Sequence, residues 1–433
     1  MERIYSSKLR PGKKSLVMGW VDTIRDLGGL KFFILRDRSG PIQVTMKKGS
    51  VPDRLMGTVS HLSREDCISV SGMPKKSGKA PGGIEIIPDS IEVITKSSPL
   101  PIEIGERIDT SLDKRLEWRS LDLRNPKNLA IFKIQSALVG GMADYLRKEG
   151  FLHVFTPCMM GAPSESGSEV FPVVYYSNEV YLRQDPQLHR QLLLIAGFDR
   201  IFDLGPSWRA EPSHTTRHLS EHRGMAPEMA FINDESDIIR LEENLVIAAL
   251  SSVKKNCRAE LELLEKKIAI PEKPFPELRF PEIYDILEKL GKKIPFGQDY
   301  DRESEMILSK HVREKYGSDF YFVNRFPFAA KPFYVMCIDE EPQWARSVDL
   351  VYKGVEQSSG GQREHRYDKI MEQARLKKMN PANIEWFTKF FRYGAPPHGG
   401  FCIGIERFTQ QMLDIPNIRE AVLFPRTPER FLP

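Results

Sequence analysis

The sequence predicts an α+β protein in which a small N-terminal β-barrel precedes a larger domain built on an antiparallel sheet flanked by helices. Three observations carry this expectation. Residues 15–95 hold short β-rich segments separated by Gly, Pro or charged turns. A Pro-rich stretch, SSPLPIE, then breaks the pattern. Beyond it, runs of strands come with helices between them, without the regular βαβ alternation of a parallel sheet.

The N-terminal β-rich segments cover 15–21, 30–36, 41–46, 67–71 and 84–93. Five short strands in this length suit an OB-fold, or another small β-domain. Residues 99–127 read as a linker and short helical hinge, leaving one domain over 1–98 and a second over 128–433. Ile131, Ile134, Leu138, Met142 and Leu146 recur at helical spacing over 128–150, and FLHVFTP follows as a strand stopped by Pro157. Later strands are expected at 170–176, 180–183, 201–211, 228–232, 321–324, 333–336 and 347–355. Helices are expected at 187–197, 235–255, 277–290, 302–316 and 368–378, with a last segment at 383–392.

A chain of 433 residues with 41% hydrophobic and 28% charged residues is an ordinary globular composition for two or three domains. The net charge of +4, from 63 basic and 59 acidic residues, neither demands nor excludes a nucleic-acid partner. Cys67, Cys158, Cys257, Cys337 and Cys402 form no CxxC pair. A structural zinc site or disulfide framework is therefore not expected, and a reducing cytosol fits. The N-terminus lacks the apolar core of a signal peptide, and no uncharged apolar run reaches the ~20 residues that span a bilayer. The expected location is cytoplasmic, away from membranes.

Three segments carry chemistry. In a strand over 201–211, alternation puts Asp203, Ser207, Arg209 and Glu211 on one face, and Phe202, Leu204, Trp208 and Ala210 on the other. The following PSHTTRHLSEHRGMAP is too polar for a strand, so Arg217 falls in the loop of a long hairpin. Guanidinium groups partner phosphate and carboxylate oxygens, although a salt-bridged surface would look the same. The second segment, GVEQSSGGQREHR, places Glu356, Ser359 and Arg363 close together; a carboxylate and a hydroxyl near a triphosphate suit Mg²⁺. The third, YGAPPHGGFCIGIERF, puts Arg407 near a helix N-terminus, which favours anions. The order His218, Glu221, His222 matches an HxxEH peptidase motif, but that motif needs a helix and here falls in a hairpin loop. P-loop and dinucleotide fingerprints are absent.

In this order the segments resemble the class II aminoacyl-tRNA synthetases. The first class motif looks like 132–157, the second 205–231 and the third 394–412. With GVEQSSGGQREHR and the N-terminal GWVDTIRDLGGLKFFILRDRSGPIQV, the resemblance covers nearly the whole chain. It is nearest to the compact archaeal and eukaryotic aspartyl form. It implies an ATP-dependent ligase that forms aspartyl-adenylate from L-aspartate and transfers the aspartyl group to tRNA. It implies Arg209, Glu356 and Arg407 as catalytic residues. Around ATP it implies Arg209, Ala210, Glu211, Arg217, His218, Leu219, Phe231, Glu356, Gly404, Ile405, Glu406 and Arg407. Phe231 would stack on adenine, and Glu356 and Ser359 would ligate Mg²⁺. The amino-acid side would comprise Glu165, Asp185, Gln187, Leu188, His189, Arg190, Arg209, Ser359 and Arg363.

The amino-acid pocket departs from the aspartyl pattern. SEGG and QSPQLYK become SESG and QDPQLHR, so Arg190 replaces a Lys that pairs with the substrate side chain. With Arg363 this leaves two cations, favouring aspartate, because an unpaired buried cation costs roughly 3–5 kcal/mol. An Asp expected to hold the substrate ammonium aligns with Ala226, and Asp185 is expected to replace it. The rival readings are asparaginyl-tRNA synthetase and a paralogue that forms an amide without tRNA. Arg190 and GVEQSSGGQREHR look aspartyl, and the intact N-terminal domain disfavours the paralogue.

The resemblance also makes the N-terminal domain the anticodon reader. Phe32 would stack a base and Gln43 would hydrogen-bond one, with Lys13, Lys14, Arg25, Arg36 and Arg38 available to phosphates. Forms that discriminate tRNA(Asp) from tRNA(Asn) resemble one another in a Trp and a Lys where this chain has Asp22 and Pro81. The expectation is charging of both tRNAs. A homodimer through the first-motif helix is implied by the class.

Overall fold

The computed structural model describes residues 1–105, 110–161, 170–212 and 215–432. The chain divides into two compact units, Met1–Glu103 and Ile104–Pro433.

In the first unit β1 (Ser15–Asp26), β2 (Leu30–Asp37), β3 (Gly40–Lys47), β4 (Cys67–Lys76) and β5 (Ile84–Thr95) close a barrel in the order β1-β2-β3-β5-β4. Val17, Phe33, Leu35, Val44, Ile68 and Val70 point inward at 0% exposure, as period-2 alternation requires. A short helix, α1 (Asp53–Val59), adds Leu55, Met56 and Val59 to this core. The sequence reading had no helix here, since seven residues give too short a window for periodicity.

The second unit is a mixed α+β layer. Its elements are α2 (Pro126–Lys148), β6 (Leu152–Val154), α3 (Gln187–Ile195), β7 (Arg200–Trp208), β8 (Glu221–Ala230), α4 (Glu235–Asn256), β9 (Glu277–Arg279), α5 (Arg302–Tyr316), β10 (Phe320–Asn324), β11 (Ser347–Tyr352), β12 (Val355–Arg363), β13 (His398–Gly404) and α6 (Ile405–Met412), with smaller elements between. The eight-stranded sheet runs β9-β10-β11-β12-β13-β8-β7-β6. It is antiparallel except at its two edges, where β9 and β6 join in parallel. One face is covered by α2 and α4. Asn125 caps α2 by accepting from Lys127 N–H, and Pro126 sits where no amide bond is lost. The stripe Ile134, Leu138, Met142 and Leu146 meets Leu245, Val246, Ala249 and Val253 of α4 in one core. The opposite face, left open over β7, β8, β12 and β13, carries the polar residues.

Several elements differ from the sequence expectation. β7 stops at Trp208, so Arg209, Ala210 and Glu211 lie in the loop. β8 begins at Glu221, well before the expected 228. It is polar because His222 faces the cavity, not because it is irregular. The expected helix at 277–290 is a short strand, β9, followed by a helix at Glu282–Lys289. The expected strand at 347–355 turns back at Lys353 and Gly354, which both take positive φ. GVEQSSGGQR is the returning strand β12. Residues 104–105 and 110–127 belong to the second unit. There Arg119 is buried, donating to the carbonyls of Glu420, Val422 and Leu423. Among the described residues no helix is long and apolar enough to cross a membrane.

Candidate active site

The open face of the sheet holds a cavity of about 490 Å³. It gathers residues from segments more than 200 positions apart, because β8, β13 and β12 are consecutive neighbours in the sheet. Arg209, Glu211, Arg217, His218, Leu219, Asp185, Gln187, Glu356, Ser359, Arg363, Gly404, Glu406 and Arg407 all line it.

One end is rich in guanidinium groups. Arg209 lies beyond the end of β7, where its N–H still donates to Ser220 O, and its half-exposed side chain pairs with Glu211 at 3.5 Å. Arg407, on the first turn of α6, donates to Glu356 O at 3.2 Å and lies 3.7 Å from its carboxylate. His222, on β8, feels the same field. Burial first, then Arg209 and Arg407, push its imidazole down to about 4, so it is neutral at pH 7. Burial and the neighbouring Arg302 and Arg407 also lower Arg217. Such a positive, partly desolvated wall suits phosphate oxygens.

Beside it, Glu356, Ser359 and Asp349 face the cavity together. Asp349 sits opposite Ser359 across β11 and β12 and pairs with Lys331 at 2.9 Å. Burial, then the neighbouring Asp349, raises the Glu356 carboxyl to about 7, a shift screened by its 45% side-chain exposure. Among the described residues no three His, Cys, Asp or Glu side chains form a metal cage. One or two carboxylates and a hydroxyl beside a phosphate wall instead fit Mg²⁺, which keeps waters and takes oxygens from its substrate.

The other end is a buried ion cluster. Arg363 donates to Glu228 Oε1 at 3.0 Å, to Gln187 Oε1 at 3.1 Å and to Gly400 O at 3.0 Å. Gln187 returns a bond from Nε2 to Glu228 Oε1 at 3.0 Å. A Cβ at Gly400 would come within 2.5 Å of Glu228 Oε2, so only glycine leaves room for that carboxylate. Arg190 donates to Gln187 Oε1 at 2.8 Å and pairs with Asp185 at 2.8 Å and Glu228 at 3.7 Å. Burial opposes charge on Asp185, yet Arg190, then Arg363 and Arg183, hold its carboxyl below the usual range.

This geometry corrects several expectations. Arg190 is 1% exposed and lies behind Asp185, so it does not face the cavity as a second free cation. The two guanidinium groups are matched by Asp185 and Glu228. Phe231 is 70% exposed just beyond Ala230, at the far end of β8 from the cavity, and cannot stack on a base bound there. Leu219 lines the cavity instead. Leu188 and Ile405 are core residues at 2% and 3% exposure. His189 packs on Trp386, 5.1 Å between ring centroids. Ala210 lies in the loop after β7. Glu406 takes the Arg223 N–H at 2.9 Å. Glu165 lies outside the described residues. Sequence reasoning missed His222, Asp349, Glu228, Lys331 and Tyr334. Only His222 and Glu228 had a signal, since they alternate with Gly224 and Ala226 along β8.

On the barrel, a bulge at Asp22 shifts the register, placing Val21 opposite Leu35 but Thr23 opposite Ile34. Arg25 therefore pairs with Phe32 on the outer face, away from the core ring Phe33. Gln43, opposite Ile34, donates to Thr45 Oγ1 at 3.0 Å and Glu85 at 3.2 Å. Asp22 O accepts from Arg64 Nε at 3.2 Å, and Pro81 opens an exposed turn, Pro81–Gly83.

Comparison with known proteins agrees with both units. Residues 111–428 match the family "tRNA synthetases class II (D, K and N)", and residues 16–94 match "OB-fold nucleic acid binding domain". The aspartate–tRNA(Asp) ligase of Pyrococcus abyssi is 44% identical over 433 residues, covering 99% of each chain. The aspartate–tRNA(Asp/Asn) ligase of Archaeoglobus fulgidus is 40% identical over 435 residues, covering 100% of each. The crystal structure of asparaginyl-tRNA synthetase from Pyrococcus horikoshii with asparaginyl-adenylate superposes with a TM-score of 0.93 at 32% identity, covering 100% of both chains.

Proposed function

Since this chain belongs to the class II tRNA synthetases of the D, K and N family, we propose that it activates L-aspartate with ATP and transfers the aspartyl group to tRNA(Asp) and tRNA(Asn). The observation that carries this reading is the juxtaposition, in one cavity, of a phosphate-facing guanidinium wall and the buried Arg363–Glu228–Gln187 cluster.

A carboxylate oxygen of aspartate attacks the α-phosphorus of ATP, the bond to the bridging oxygen breaks, and pyrophosphate leaves. Arg209 holds the α-phosphate and the attacking carboxylate, so charge developing in flight meets a fixed cation. Arg217, His218 and Arg407 receive the β- and γ-phosphates, and Glu211 and Leu219 border the adenine. Glu356 and Ser359 would hold Mg²⁺, with Asp349 beside them; the ion supplies neutralisation of phosphate charge. In the second step a ribose hydroxyl at the tRNA 3′ end attacks the carbonyl carbon, and AMP leaves. No covalent protein intermediate is needed.

In the amino-acid subsite, Arg363 reads the side-chain carboxylate. Asp185, anchored by Arg190, takes the α-ammonium in place of the carboxylate lost at Ala226. Asp185→Ala is expected to raise the aspartate KM at least about tenfold, the scale of a charge-assisted hydrogen bond, and to leave the ATP KM unchanged. An unaltered aspartate KM counts against the assignment.

The barrel binds the anticodon through Phe32 and Gln43, and Asp22 and Pro81 leave tRNA(Asp) and tRNA(Asn) weakly discriminated. The first-motif helix α2 forms a homodimer, which light scattering tests. ATP–pyrophosphate exchange with each amino acid tests the central reading: exchange must depend on aspartate, and dependence on asparagine overturns it. Equal aspartyl transfer to both tRNA transcripts supports the dual specificity; rejection of tRNA(Asn) removes that part alone.

A further inference from the structure

Glu356 follows a tight turn. Lys353 and Gly354 take φ of 49° and 70°. A Cβ on Gly354 would lie 2.8 Å from Met306 Sδ and 3.3 Å from Ser309 Cβ, so α5 is in direct contact with the turn. Arg302, Glu305, Met306 and Ser309 share one face of α5 by their three- and four-residue spacing. This face clasps the turn in a specific way. Glu305 Oε1 accepts the backbone N–H of Glu356 at 2.6 Å. Glu305 Oε2 accepts from Arg302 Nη1, and the same nitrogen donates to Gly354 O. Arg302 thus joins the turn to Glu305, and Glu305 joins the helix to the backbone of Glu356. The helix end is itself secured: Asp301 accepts from Ser304 N–H at 2.9 Å and pairs with Lys292 at 2.9 Å.

The place of this contact matters. Glu356 is the last residue paired before the register shift at Gln357. Its N–H is taken by a side chain of α5. A bulge bends and re-aims its strand, and here the bend starts from a backbone amide held by a buried carboxylate, 8% exposed.

We propose that Glu305 is a positioning residue for the cation ligand Glu356. By holding the Glu356 amide, with Arg302 holding Glu305, it sets the direction in which the Glu356 carboxylate leaves the bulge. The inference rests on the reading of Glu356 as a Mg²⁺ ligand, and it adds a control on cation affinity that originates outside the sheet.

The test is Mn²⁺ binding to the full chain in the presence of ATP, read as loss of the free-ion electron paramagnetic resonance signal, beside ATP–pyrophosphate exchange. Glu305→Ala is expected to weaken Mn²⁺ about tenfold, the lower range for loss of a group that orients a metal ligand. Exchange is expected to recover at saturating Mg²⁺, with the aspartate KM unchanged. Glu305→Gln keeps an acceptor oxygen for the Glu356 amide and should restore most of the affinity. If Glu305→Ala does not fold, Arg302→Ala against Glu305→Gln makes the same comparison, with only the former weakened. Glu356→Gln is the control. Binding untouched by Glu356→Gln overturns the ligand itself. Binding lost in Glu356→Gln but unchanged in Glu305→Ala overturns only the role of Glu305, as does a lower melting temperature with wild-type Mn²⁺ affinity.

Discussion

Glu356 and Ser359 stand three residues apart on β12 yet face the same side of the sheet, because one extra residue, Gln357, bulges between them. Ser359 pairs with Asp349 and Glu356 with Val351; residues two apart on β11 share a face. In a regular strand the two side chains would point to opposite sides. Inserting one Ala between Leu350 and Val351 of β11 should give Gln357 a partner, restore the regular alternation along β12 and turn Glu356 away from the cavity. Aspartate-dependent exchange is then expected to fall by at least about 100-fold, the scale of losing a preorganised electrostatic group, while circular dichroism remains native. A folded, fully active insertion variant would show that the bulge does not place Glu356.

Arg209 is half exposed, and its ion pair with Glu211 is long at 3.5 Å. It contributes little to folding. Arg209→Ala should therefore reduce kcat for exchange by about 10²–10³-fold, with little change in melting temperature. A large loss of stability with modest loss of rate would reverse that assignment.

Arg190 is the opposite case. It is 1% exposed between Asp185 and Glu228. Arg190→Ala leaves the buried Glu228 and the partly buried Asp185 without this cation, so unfolding by denaturant should show a loss of about 3–5 kcal/mol. Arg190→Lys should recover part of this, since one ammonium cannot reproduce bonds made by several guanidinium nitrogens.

Glu242 of α4 is fully buried under β12, where it accepts from Ser358 Oγ. Burial raises its carboxyl to about 8 despite that bond. The folded protein therefore holds a proton that the unfolded chain releases above its ordinary 4.5. Stability from this group is present below that value and is lost as pH rises towards about 8, at about 1.4 kcal/mol per pH unit. Glu242→Gln should flatten the fall of melting temperature across this window. An identical pH profile in the variant rules out Glu242 as its source.

Phe32 lies on the outer face of the barrel, opposite Arg25 and Thr45. Phe32→Ala should raise the KM for tRNA by roughly 5–150-fold, the equivalent of one base–aromatic stack of about 1–3 kcal/mol. Exchange without tRNA should be unchanged. Equal effects on both assays would place Phe32 in folding rather than in recognition.

The amino-acid sequence by itself determined the α+β class, the five barrel strands, the first-motif helix and the cluster of Arg209, Arg217, Glu356, Arg363 and Arg407. These are written in local patterns: period-2 burial, a helical stripe with its cap, and motif residues at set spacings. The tertiary structure decided what those residues face. Period-2 logic alone separates Glu356 from Ser359, and only the pairing with β11 reveals the bulge that reunites them. Charge counting suggested two free cations for the substrate. Packing instead encloses Arg190 behind Asp185 and sets Glu228 against Arg363, in space that Gly400 leaves open. Phe231 carried the right chemistry for stacking but stands at the wrong end of β8. Each of these outcomes depends on contacts between segments distant in the chain, where burial and the pairing of charges, rather than local propensity, select the arrangement.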